Sequence, residues 1–154
     1  MLAKFVIALI APLAVSVASP AAAQADGIIR VRSAYSVAET IERIKQDVAA
    51  KGIMFFSEVD QAALAAGAGI KLRPSTLLTF GNPPLGTLFI TAKAEAGLDW
   101  PVRLLVTQDD AGVVWAVYTD FKWIAARHGI RDRDREFATA TGVIASITSA
   151  IAAH

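Results

Sequence analysis

The 154-residue chain balances 15 Lys and Arg against 14 Asp and Glu, is 55% hydrophobic, and has no cysteine. Without cysteine there can be no disulfide, thiol nucleophile, iron–sulfur cluster, Cys-linked haem or cysteine lipid anchor. The near-zero charge argues against nucleic acid, whose phosphates call for clustered cations, and against a protein held electrostatically on a membrane surface.

Met1 to Ala25 reads as a secretory signal peptide. Lys4 is the only charge before Asp26, and Phe5 to Val17 is apolar except at Pro12 and Ser16. Ala21-Ala22-Ala23 or Ala23-Gln24-Ala25 then fits a small-x-small cleavage site, which puts Ala23 or Ala25 before the cut bond. The expectation is export, into a bacterial periplasm. Residues 26–154 then form one domain in which 14 cations (Lys4 being in the leader) meet 14 anions. No other apolar run reaches the ~18 residues that span a bilayer, so no membrane span is expected after cleavage.

Ile28 to Tyr35 alternates like a strand. Ser36 has the character of an N-cap, with Glu39 in the capping-box position. Val37, Ile41, Ile44 and Val48 follow at helical spacing, and Lys51-Gly52 is a stop signal. Ile53 to Val59 is strand-like. Asp60 can cap a short alanine-rich helix over Gln61 to Ala66. Ser75 to Phe80 is a strand that Gly81-Asn82-Pro83-Pro84 must terminate, since proline donates no ladder hydrogen bond. Leu85 to Ala96 is helical or an irregular helical turn. Trp100–Gln108 and Val113–Tyr118 form a hairpin around Asp109-Asp110-Ala111-Gly112. Lys122 to Arg127 is a short helix closed by His128-Gly129. Asp132 or Asp134 caps a last helix, in which Phe137, Ala140, Ile144, Ile147 and Ile151 make an apolar stripe. The pattern predicts an α+β domain: an antiparallel sheet with helices on one face.

Several segments resemble the DUF302 family in order. They are Val59-Asp60, Leu72-Arg73-Pro74, Leu77-Leu78-Thr79-Phe80-Gly81-Asn82-Pro83, Gly86-Thr87 and Leu98-Asp99-Trp100-Pro101, then Arg103 to Val106, Val114 to Tyr118, and Arg127-His128-Gly129-Ile130. The resemblance implies a TBP-like, TT1751-like fold, in which a curved antiparallel sheet carries two long helices on one face. It implies no activity. In this family a His often follows the Asp where this chain has Gln61.

The strand-exit loop Gly81-Asn82-Pro83-Pro84-Leu85-Gly86-Thr87 is the leading ligand-site candidate. It could present backbone amides and the Asn82 side chain, and could hold an anion if a helix begins just beyond. The ligand-binding set expected around it is Arg73, Thr79, Gly81, Asn82 and His128. His128 could instead be a dipole-stabilised imidazole in a last helical turn, a general base, or a haem ligand. One internal histidine with scattered carboxylates does not make a zinc set, so neither a metal nor a cofactor is expected. Arg103 is expected to pair with Asp99 or to face solvent. No Gly-x-Ser-x-Gly elbow or His-Glu-x-x-His motif is present, and no catalytic residue is assigned.

Three readings follow. The first is a non-enzymatic periplasmic module binding a small molecule or an envelope protein. The second is a haem- or metal-dependent protein or enzyme using His128. The third is a structural homodimer or adaptor, docking through the Thr76–Phe80 or Ile53–Val59 strand.

Overall fold

The structure, a computed structural model, describes residues 26–153. The expected leader, with Ala23 and Ala25 before the expected cut, lies outside the described residues, as does His154. Five strands form a single sheet: β1 (Ile28–Arg32), β2 (Met54–Asp60), β3 (Ser75–Gly81), β4 (Val102–Gln108) and β5 (Val114–Thr119). Their order is β1-β5-β4-β3-β2 and every neighbouring pair is antiparallel. The helices are α1 (Val37–Ala50), α2 (Gln61–Gly67), α3 (Pro83–Ala92), α4 (Phe121–His128) and α5 (Asp134–Ser149), with a 3-10 turn at Ala94–Leu98. This is the expected α+β architecture.

The sheet buries one face against the two longest helices. Ile44 and Val48 of α1, with Ile144 and Ile147 of α5, cover Leu78 of β3 and Leu104 of β4 in one core. Strand alternation dictates which residues reach it. On β5 those are Val114 and Ala116, while Trp115 and Val117 are half-buried on the opposite face. Ile151, just beyond α5, extends the helix's predicted stripe and is fully buried.

Local chemistry explains the element ends. Ser36 caps α1 by accepting from the Glu39 amide at 3.2 Å. The Glu39 carboxylate takes Arg43 Nη2 at 2.9 Å. β1 stops at Arg32, short of the expected Tyr35. Ser33 donates its amide to Val114, its hydroxyl sits 2.7 Å from that of Thr40, and the Ala34 amide turns to the Ile151 carbonyl. The chain therefore leaves the sheet to enter α1. The Asp60 cap forms as expected, accepting from Ala63 N at 2.9 Å.

Three expectations are corrected. The third helix starts at Pro83 rather than Leu85. Proline has no N–H to lose at a helix start, so the pair that ends β3 also opens α3. Neither Asp132 nor Asp134 caps α5. Arg133 occupies the cap position with no side-chain bond, and Asp132 pairs with its guanidinium. Asp134 and Glu136 instead lie in the first turn, where a negative charge suits the helix dipole. Finally, β3 is interior, so only β2 of the two strands expected to dock a partner is an edge.

The β4–β5 turn is organised by one carboxylate. Asp109 accepts from the amides of Ala111 and Val113, each at 2.9 Å, and from Trp115 Nε1 at 2.8 Å. The Trp115 bond, then the Val113 amide, hold its pKa below the ordinary 3.8. A group depressed in the folded state stabilises above its unfolded pKa, and that contribution fades as pH falls through the folded value. Thermal melts across the acid range should therefore show wild type more stable than Asp109→Asn at neutral pH. The gap should close in acid, below the ordinary carboxylate value.

Candidate functional site

A cavity of about 560 Å³ lies between α3 and α5, closed below by the end of β3. Its walls are mostly apolar, with Phe80, Leu85, Phe89, Phe121 and Val143 among them. This size and character fall within the range of small-molecule sites. Its polar lining is sparse: Asn82, Thr139, Ser146 and Lys51.

Each wall has a local cause. Asn82 is the N-cap of α3, and its Oδ1 accepts from Leu85 N at 3.1 Å. Pro83 and Pro84 carry no amide hydrogen, and the Gly86 amide already bonds the Asn82 carbonyl at 2.8 Å. The first turn thus offers no free amide to an anion, and the loop lines the cavity through Gly81 and the Asn82 side chain. Phe89 stacks on Phe137 of α5, with ring centroids 4.2 Å apart, and fixes the helix pair.

Trp100 forms another wall. A methyl on Gly86 would overlap its indole, and one on Gly81 would stand 3.0 Å from Nε1. The two glycines of the loop therefore admit an aromatic plate, whose outer edge meets Phe56 in a T-shaped contact at 5.9 Å. Trp100 was expected only to begin a strand. The signal for its role is the pair of glycines, which becomes readable once the structure shows what faces them.

The residue beside Trp100 anchors it. The Asp99 side chain is 5% exposed and accepts from three others. Arg103 Nη2 lies 3.1 Å away, Arg127 Nη1 is 3.1 and 3.0 Å from the two oxygens, and His128 Nε2 is 2.6 Å from Oδ2. With Asp99 accepting, Nε2 carries the hydrogen. The lock joins the start of β4 to the end of α4, where Gly129 closes the helix in the left-handed region (φ 64°).

The structure thus separates the residues expected to bind ligand. Gly81 and Asn82 line the cavity. Thr79 points to the other sheet face, 2.7 Å from the Ser57 hydroxyl. Arg73 is exposed and pairs with Asp110. His128 is buried on Asp99, away from the cavity lining. Gln61 makes a local bond, accepting from Ser75 Oγ at 2.8 Å. Among the described residues, no three metal-ligating side chains converge.

A model of the family described as "Domain of unknown function DUF302" matches residues 29–153. The chain belongs to the DUF302 family. A crystal structure of an uncharacterized conserved DUF302 protein from Bacillus stearothermophilus superposes with a TM-score of 0.75 at 16% identity, covering 82% of this chain and 99% of that one. Similarity in sequence extends to Brucella proteins named fluoride-specific ion channel. One is from Brucella suis biovar 1, 42% identical over 104 residues, and covers 68% of this chain and 41% of the relative. Another, from Brucella melitensis biotype 1, is again 42% identical over 104 residues and is covered to 38%. The DUF302 chain therefore spans about two fifths of the length of these curated relatives.

Two substitutions probe this construction. Asp99→Ala leaves a buried imidazole and two guanidiniums without their acceptor and should cost about 3 kcal/mol in urea unfolding. That is the low end for a broken buried pair, because Arg103 and Arg127 keep about half their side-chain surface in water. Gly86→Ala forces the indole aside and should cost about 1–3 kcal/mol. In a Trp100→Ala background most of that loss should vanish, as a double-mutant cycle would read.

Proposed function

We propose that this DUF302 protein is a non-enzymatic binding module of the cell envelope, exported by its leader, which takes a small molecule into the cavity between α3 and α5. The observation that carries the reading is the cavity itself: about 560 Å³ bounded by apolar side chains, with an aromatic plate held in place by a dedicated lock. The groove opens to solvent along α5, where Thr139, Gly142 and Ser146 are exposed, so a ligand there would cover apolar wall that otherwise meets water. Among the described residues, the lining holds hydroxyls, one amide, the Trp100 indole and one ammonium, but no nucleophile–base pair. The alternative built on His128 would have to act through Nδ1, since Nε2 is engaged by Asp99 at 2.6 Å, and the ring lies outside the cavity lining.

A second reading has its own support. The Brucella relatives are called fluoride-specific ion channels, and this domain accounts for only part of their length. A DUF302 domain could thus serve beside a membrane transport protein, and here the partner would be a separate envelope protein. The apolar cavity suits a small hard anion poorly, so this reading concerns the company the domain keeps.

Native mass spectrometry of untagged protein recovered from the periplasm tests the proposal. An added mass that disappears on denaturation, and is absent from a Gly142→Leu variant, is the expected result. A bare polypeptide, together with crosslinking to a membrane protein, would favour the second reading. Recovery of an unprocessed chain from the cytoplasm would overturn the assignment to the envelope.

A further inference from the structure

We infer that the cavity selects an uncharged amphiphile: an apolar chain or ring bearing one hydrogen-bond acceptor, such as a hydroxyl or a carbonyl. This rests on the cavity reading above and names the class of its ligand.

The first argument is charge. Among the described residues, Lys51 is the only ionic side chain in the lining, and Asp47 already holds its ammonium at 2.6 and 2.7 Å. A shallower hollow adjoins the cavity at Asn82 and Thr139, where Arg135 and Glu136 stand side by side with opposite signs. The first turn of α3 has no free amide for an anion. A charged ligand entering this groove would lose its water without gaining a counter-charge, the most unfavourable way to bury an ion.

The second argument is shape. Thr139, Gly142, Val143 and Ser146 line the cavity from one face of α5. At about 1.5 Å per residue, Thr139 to Ser146 is a track about 10 Å long. Gly142 lies inside this helix and has open space where a side chain would stand. Glycine at such a position weakens a helix relative to alanine, and no neighbouring side chain requires it. Its effect is to widen the track, which suits an elongated molecule lying along α5.

The third argument is the polar end. The Leu85 amide fixes Asn82 Oδ1, so Nδ2 is the atom with hydrogens left to give. Thr139 donates to the Arg135 carbonyl at 2.9 Å. At the Asn82 end the available group is therefore a neutral donor, which in a lining without a free counter-charge suits a neutral acceptor.

The test titrates 1-octanol, octanoate and octylammonium onto the purified protein, reading the Trp100 indole and Gly142 amide signals by NMR. 1-Octanol is expected to bind at least about tenfold tighter than either ion. Each methylene added, from butanol upward, should tighten binding about fourfold until the track is filled. Asn82→Asp keeps an N-cap but replaces the donor with a carboxylate. It should melt as wild type does and bind 2-octanone, which can only accept, about tenfold more weakly. Gly142→Leu should fold and bind none of the three. Octanoate or octylammonium binding as tightly as 1-octanol, or Asn82→Asp binding 2-octanone as tightly as wild type does, would overturn the neutral-ligand inference while leaving the cavity reading in place. Failure of every probe to move either signal in wild type would overturn both.

Discussion

The carboxylate of Asp99 makes connections that the backbone of this fold does not. It lies between the 3-10 turn and β4, and it gathers Arg103 from that strand and both Arg127 and His128 from the end of α4. A nearly water-free carboxylate is costly unless its oxygens are supplied with donors. Here three side chains supply them, and two keep their guanidiniums partly in solvent, which limits the desolvation on their side. The consequence is positional. Trp100 follows Asp99 directly, so the lock fixes where the indole leaves the chain. Gly81 and Gly86 provide the only kind of surface on which that ring can lie flat against β3 and α3. Lock, plate and glycines are one device, and the cavity is what the device encloses.

The same logic shows why the space is not filled. α1 meets the sheet with Ile41, Ile44 and Val48, and α5 does so with Ile144 and Ile147, all well buried. Where α5 faces the cavity, its residues are Thr139, Ala140, Gly142 and Val143, too small to fill the space beside α3. Contact between α3 and α5 is instead made by the Phe89–Phe137 stack. Two large rings at one point, with small residues elsewhere, leave a gap by construction. A helix pair meant only to pack would alternate large and small side chains along its whole length.

Much of the fold was legible in the sequence because its signals are local. Ser36 with the Val37–Val48 spacing, the Asp109 turn between alternating arms, and the Phe137–Ile151 stripe each act within a few residues, and each element formed. The quartet Phe-Gly-Asn-Pro was read correctly as the end of a strand. That the prolines also begin a helix was missed, because a helix start and a strand stop make the same demand: an amide that need not donate. The site was less legible, since its parts are far apart in sequence. Asp99 and His128 are separated by 29 residues and meet only when the hairpin brings α4 back to the 3-10 turn. Thr79 was grouped with Gly81 by proximity along β3. Gly81, however, meets the cavity through its backbone, whereas the Thr79 side chain lies on the face opposite Leu78 and Phe80 and is engaged by Ser57 of the neighbouring strand.

The Bacillus stearothermophilus relative keeps this fold at 16% identity, so most side chains can change while the sheet and its two long helices persist. What holds such a fold is the pattern of buried positions, which many apolar residues satisfy. What defines the site is narrower. Only glycine lets an indole lie on Gly86, and only an acidic side chain can take two guanidiniums and an imidazole at Asp99. Gly142 is in neither group. It is not required by the fold, since nothing packs against it, nor by the lock, which lies elsewhere. A residue that weakens its own helix and serves neither requirement is explained by the space it leaves open. That space adjoins the cavity, so under the proposed reading α5, and not the Gly81–Asn82 loop alone, would set ligand choice.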